Sequence, residues 1–160
     1  MIKVFTKSAD DTRELASVIA PLVQGGDTVL LAGDLGAGKT AFTQGLCKAL
    51  GVEDQVTSPT FVLMHSYQGR AFPVLHVDVY RVGRLQEVVD LGLGELLDDG
   101  AAAVIEWGDV AAPALPPDYL ELRIEFGEGD DDREFVMRTV GARWATRAAA
   151  LERAVGRWAA

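Results

Sequence analysis

The 160-residue sequence predicts one α/β domain, and three observations predict it. Helix-like and strand-like runs alternate along the chain. Apolar residues make up 49%, enough for a single core at this length. An aliphatic run, Thr28–Ala32, leads directly into Gly33-Asp34-Leu35-Gly36-Ala37-Gly38-Lys39-Thr40, with a helical pattern after it. No internal repeat and no linker divides the chain.

The elements follow in order. Met1 to Thr6 alternates as a short strand. Ser8-Ala9-Asp10-Asp11 reads as a helix start, and Leu15, Val18, Ile19 and Leu22 recur at helical spacing to about Val23. Gly25-Gly26-Asp27 is a turn, and Thr28–Ala32 a buried strand. The next helix runs from about Lys39 to Leu50 and ends at Gly51. Thr60 to Tyr67 and Ala71 to Tyr80 form strands joined at Gln68-Gly69-Arg70, a hairpin. Helical periodicity from Arg84 to Leu97 is interrupted by Gly92 and Gly94, and Ala101 to Ile105 is a buried strand that ends at Glu106. Beyond a proline-rich stretch, Tyr119 to Phe126 and Arg133 to Val140 are strands joined by an acidic turn. An amphipathic helix over about 142–159 closes the chain. Its stripe of Trp144, Ala148, Leu151, Val155 and Trp158 covers the domain's own core or docks a partner.

Composition excludes several classes. No apolar run approaches the roughly 18 residues of a membrane span, and the N-terminus lacks the apolar core and cleavage site of a signal peptide. The single cysteine, Cys47, has no disulfide partner within the chain. A cytoplasmic protein is expected. The net charge of −9 opposes direct binding to a nucleic-acid backbone, although Arg138, Arg143, Arg147, Arg153 and Arg157 gather near the C-terminus.

The octapeptide matches G-x-x-x-x-G-K-[ST] in the context that gives the motif its meaning, strand before and helix after. Gly33, Gly36 and Gly38 let the backbone turn its amides onto phosphates, and the helix start adds a favourable dipole. Lys39 reaches the β- and γ-phosphates, and the Thr40 hydroxyl ligates Mg²⁺. Two acids end apolar strands, Asp78 and Glu106, and either suits the second magnesium position. Glu106 follows the cleaner buried strand and takes the Mg²⁺-linked role, which leaves Asp78 to position water near the γ-phosphate. Thr57-Ser58-Pro59-Thr60 stands where many P-loop proteins keep a switch segment, and reads equally as a turn. Without a single Asn the chain cannot carry the usual guanine reader. His65, His76 and Cys47 lack zinc-ligand spacing, and both histidines read as satisfied hydrogen-bonders within strands.

The octapeptide, Ser58-Pro59-Thr60-Phe61, His76-Val77-Asp78-Val79-Tyr80-Arg81 and Glu106-Trp107 together resemble the bacterial TsaE family, over roughly Thr12 to Pro117. The resemblance implies a P-loop NTPase-like domain of three layers round a mixed parallel and antiparallel sheet. It implies a weak Mg²⁺-dependent ATPase in tRNA threonylcarbamoyladenosine synthesis, acting with TsaB and TsaD, which bind the tRNA and make the transfer. Lys39, Asp78 and Glu106 then carry catalysis, and Thr40 and Glu106 hold the metal. ATP or ADP contacts Thr12, Leu35, Gly36, Ala37, Gly38, Lys39, Thr40, Thr60, Trp107 and Arg133. Ala41 stands where the family often has threonine, and Gly108-Asp109 where it often has Pro-Glu. The competing reading is a small-molecule kinase on the same P-loop.

Overall fold

Ile2–Thr6 forms strand β1, with Val4 and Thr6 buried between more exposed neighbours. The computed structural model describes residues 1–34, 36–57, 59, 64–79, 91–106 and 117–159. Ser8 caps helix α1 (Ala9–Ile19), its hydroxyl accepting from the Asp11 amide at 3.0 Å. The helix does not continue unchanged to Val23. It tightens into a 3₁₀ turn over Ala20–Leu22, because Pro21 has no amide hydrogen to extend the α ladder.

Strand β2 (Thr28–Gly33) is buried from Thr28 to Ala32, and α2 (Lys39–Ala49) follows the glycine-rich loop. Gly51, at φ 90°, lies just past the α2 cap, as the sequence predicts. Helices α1 and α2 cross in direct contact at Gly45, where a Cβ would stand 2.4 Å from the Arg13 carbonyl oxygen. Any side chain there forces the helices apart.

β3 (Met64–Gln68) and β4 (Pro73–Asp78) pair antiparallel, with Gln68 opposite Pro73. Residues 69–72 make a longer connection than the expected three-residue turn, closed by the Gly69 amide on the Phe72 carbonyl at 3.1 Å. Helix α3 (Leu93–Asp98) starts after Gly92, and residues 84–90 of the helix expected here lie outside the described residues. β5 (Ala102–Glu106), β6 (Tyr119–Phe126) and β7 (Arg133–Val140) follow the predicted runs closely.

The C-terminal segment departs from the single helix expected over 142–159. It folds as α4 (Ala142–Ala145), α5 (Ala148–Ala154) and a 3₁₀ turn over Gly156–Trp158. The first break falls at Arg147, whose side chain turns back to the Leu22 carbonyl and the buried Asp27 carboxylate. The second falls at Gly156, which has little helix preference. Despite the breaks, Trp144, Leu151, Val155 and Trp158 are all buried in the chain's own core.

One seven-stranded sheet carries these elements in the order β1-β7-β6-β2-β5-β4-β3. The four strands β6, β2, β5 and β4 run parallel, and the outer pairings are antiparallel. Val29 and Leu31 of β2 join a core with α1 and α2, while Leu30 joins a second core with Leu93 and Leu97 of α3. Helices therefore cover both faces. β2 has β5 on one side and β6 on the other, so its C-terminal end is a switch point, where open α/β sheets bind ligands.

Candidate functional site

β2 stops at Gly33, and residues 34–38 carry the chain over the sheet end into α2. Gly36 and Gly38 hold φ of 83° and 112°, and a Cβ at either would meet no atom within 4 Å. Backbone conformation, not crowding, calls for glycine there. No side chain caps the first amides of α2, so its N-terminal donors and dipole face the loop.

Lys39, on the first turn of α2, is buried with its ammonium donating to the carbonyl oxygens of Gly33 (2.7 Å) and Asp34 (3.1 Å). Burial pushes its pKa down, opposed by the negative charges of Glu106, Asp78 and Asp34. Those acids thus stand within electrostatic reach of the ammonium, although they come from three separate strand ends. Thr40 follows, half-buried.

Parallel pairing aligns the acids. Leu31 of β2 lies opposite Glu106 of β5, and Glu106 lies opposite Asp78 of β4. The two-residue period of β4 puts His76 on the same face as Asp78. Its Nε2 is 2.9 Å from Glu106 Oε2, with His76 fully buried and Glu106 2% exposed. The histidine was legible as a hydrogen-bonder but not as the partner of Glu106; its place two residues before Asp78 was the available signal.

Arg133, at the start of β7, closes the other flank. Its Nε donates to the Ala37 carbonyl at 3.0 Å and its Nη2 to Gly36 at 3.4 Å, while the guanidinium lies 4.8 Å from the Phe126 ring centroid. Thr6 is opposite Arg133 in the β1–β7 ladder, and its hydroxyl meets that of Thr12 at 2.8 Å. Thr12 is 1% exposed and is linked to the loop through Thr6 and Arg133. Phe126 and Thr6 were not singled out from the sequence. Neither carries a motif, and both reach the site through strand register. Leu35, Thr60 and Trp107 lie outside the described residues, as do Ser58, Phe61 and Gly108-Asp109.

The family model for "Threonylcarbamoyl adenosine biosynthesis protein TsaE" matches residues 6–135, the span that holds the loop, both strand-end acids and Arg133. The chain belongs to the TsaE family. It is 45% identical over 140 residues to the tRNA threonylcarbamoyladenosine biosynthesis protein TsaE of Streptomyces coelicolor, covering 84% of this chain and 94% of the relative. The TsaE protein of the same name from Bacillus subtilis is 37% identical over 143 residues, 89% of each chain. The crystal structure of Bacillus subtilis YdiB superposes with a TM-score of 0.78 at 33% identity, over 95% of this chain and 94% of that one. With its mixed sheet and flanking helices, this TsaE chain has a P-loop NTPase-like α/β fold. Among the described residues, no helix is long and apolar enough to cross a membrane.

Proposed function

We propose that this chain is the ATP-binding and weakly ATP-hydrolysing subunit of tRNA threonylcarbamoyladenosine synthesis, a cytoplasmic protein working with TsaB and TsaD. The observation that carries the reading is Lys39, held at the glycine-rich loop within reach of Asp78 and Glu106 on adjacent strand ends. The residues suit ATP with magnesium. The loop front is open at Gly36 and Gly38, and the donors beside it, a hydroxyl and carboxylates, are the hard oxygens Mg²⁺ prefers. When bound, Mg²⁺ would neutralise charge that develops during phosphoryl transfer.

The chain's own residues divide the remaining work. The loop amides and Lys39 bind the phosphates, for which Lys39 exchanges its bonds to the Gly33 and Asp34 carbonyls. Thr40 and Glu106 would hold the metal. Asp78, beside Glu106, orients the attacking water. Arg133 braces the loop from β7, and Thr12, Leu35, Thr60 and Trp107 complete the nucleotide contacts implied by the family resemblance. RNA recognition falls to the partners. Of the C-terminal arginines, Arg138 pairs with Glu121, Arg143 and Arg147 with Asp27, and Arg157 with Glu14. Their charge is largely met inside the molecule, which keeps a net −9.

The test measures ATP hydrolysis with and without TsaB and TsaD, beside calorimetric titration of Lys39→Ala. We expect slow turnover alone, faster turnover with partners, and no measurable ATP affinity in a folded Lys39→Ala protein. Unchanged affinity in that variant overturns the reading, and a phosphorylated metabolite as product would replace it with a kinase.

A further inference from the structure

We infer that His76 is a positioning residue: it fixes the Glu106 carboxylate through Oε2, so that Oε1 is the oxygen that meets the metal shell. The inference rests on the nucleotide reading above and assigns a role to a residue outside the P-loop.

The geometry is specific. His76 Nε2 and Glu106 Oε2 are 2.9 Å apart, and the two side chains are 0% and 3% exposed. Among the described residues the imidazole is the one side-chain donor at this carboxylate. Among the described residues, His76 Nδ1 is buried with no hydrogen-bond partner. That fixes the tautomer. With the proton on Nε2, the ring donates to the carboxylate and leaves an unmet acceptor. With the proton on Nδ1, two acceptors would face each other while a buried donor went unmet. The ring is itself fully buried, which leaves it little room to swing away from the carboxylate.

A glutamate has three rotatable side-chain bonds, and a metal ligand must hold one orientation before the ion arrives. A single buried donor from the adjacent strand supplies that orientation while leaving half the carboxylate for other chemistry. Ligating carboxylates are commonly held in this way, and loss of such a partner weakens metal affinity roughly 10- to 100-fold. Asp78, two residues further on the same face of β4, means that one strand both orients the metal acid and presents the water-directing acid.

The experiment compares wild type with His76→Gln, His76→Asn and His76→Leu. The Gln amide nitrogen reaches about where Nε2 stands, whereas the Asn amide falls short. The readout is the affinity of a fluorescent ATP analogue, first in EDTA and then across a Mg²⁺ titration, with thermal unfolding in parallel. We expect all variants that fold to match wild type in EDTA. The Mg²⁺ midpoint should rise roughly tenfold or more in His76→Leu and His76→Asn and stay within about threefold in His76→Gln. If His76→Leu does not fold, the contrast between Gln and Asn carries the test. Equal Mg²⁺ midpoints for Gln and Asn, or losses in EDTA as large as in Mg²⁺, overturn the inference. Analogue affinity that ignores Mg²⁺ in wild type overturns this inference alone, whereas wild-type protein that binds no analogue in either condition overturns the nucleotide reading itself.

Discussion

Asp27 and Glu106 are buried to almost the same degree, 1% and 2% exposed, at opposite ends of the neighbouring strands β2 and β5. Their surroundings differ. Asp27 accepts from Arg147 through two nitrogens, from Arg143 at 3.0 Å and from the Gln24 amide at 2.7 Å. Its capacity is filled, and it ties α4 and α5 to the turn before β2. Among the described residues, Glu106 meets one hydrogen-bonding side chain, the His76 imidazole, and faces an ammonium that is engaged with the loop. A saturated carboxylate holds a fold together; one with unfilled capacity beside a cation has room for a ligand.

Breaking the saturated end has the largest expected effect. Asp27→Ala strands Arg147, whose side chain is 12% exposed, and should lower stability by about 3–5 kcal/mol in urea unfolding. Folded Asp27→Ala protein should still bind ATP as wild type does, because the clamp and the loop lie at opposite strand ends. Lost binding there would mean that the two ends are coupled.

At the other end, Asp78→Ala and Glu106→Ala should fail differently. Asp78→Ala should bind nucleotide normally and turn over roughly 100-fold more slowly. Glu106→Ala should need roughly tenfold more Mg²⁺ for the same affinity. Steady-state hydrolysis and Mg²⁺ titrations separate the two, and matching profiles would erase the division of roles.

Acid sharpens the contrast further. Burial pushes the Asp27 carboxyl up, but hydrogen bonds from Arg147, Gln24 and Arg143 outweigh it and hold the group below the usual carboxylate range. A depressed folded pKa contributes stability above the unfolded value, about 3.9, and that stability is lost as pH falls through the folded value. Urea midpoints should therefore drop more steeply below about pH 4 in wild type than in Asp27→Asn. Parallel slopes would remove Asp27 from the acid response. The smallest effect belongs to Arg143→Ala. Its side chain is 41% exposed and Arg147 remains on Asp27, so a loss under about 1 kcal/mol is expected by the same measurement.

These two ends were unequally legible in the sequence. The glycine-rich loop, Lys39 and the acids at strand ends are local patterns: a turn chemistry, a helix start, and an apolar run that stops at a carboxylate. Strand periods also forecast the β6–β7 hairpin to the residue. Asp27 read as part of a turn, because its partners Arg143 and Arg147 lie more than a hundred positions away. The break in the C-terminal helix was hidden for the same reason, since local propensity favours continuing it. Likewise, β4 alone places His76 with Asp78, but the bond to Glu106 depends on how β4 and β5 align.

The place of β1 sets a schedule for the molecule. It pairs with β7, with Ile2 opposite Met137, and Val4 also bridges to Ala159. β1 is therefore seated late, after about 135 further residues have been made. At ordinary translation speeds that wait is on the order of ten seconds. Closing so long a loop costs entropy before any ladder bond forms, so this step tends to slow the whole reaction. Until β7 is made, Val4 lacks the Phe135 and Met137 part of its core, and β1 remains an unpaired apolar strand open to other chains.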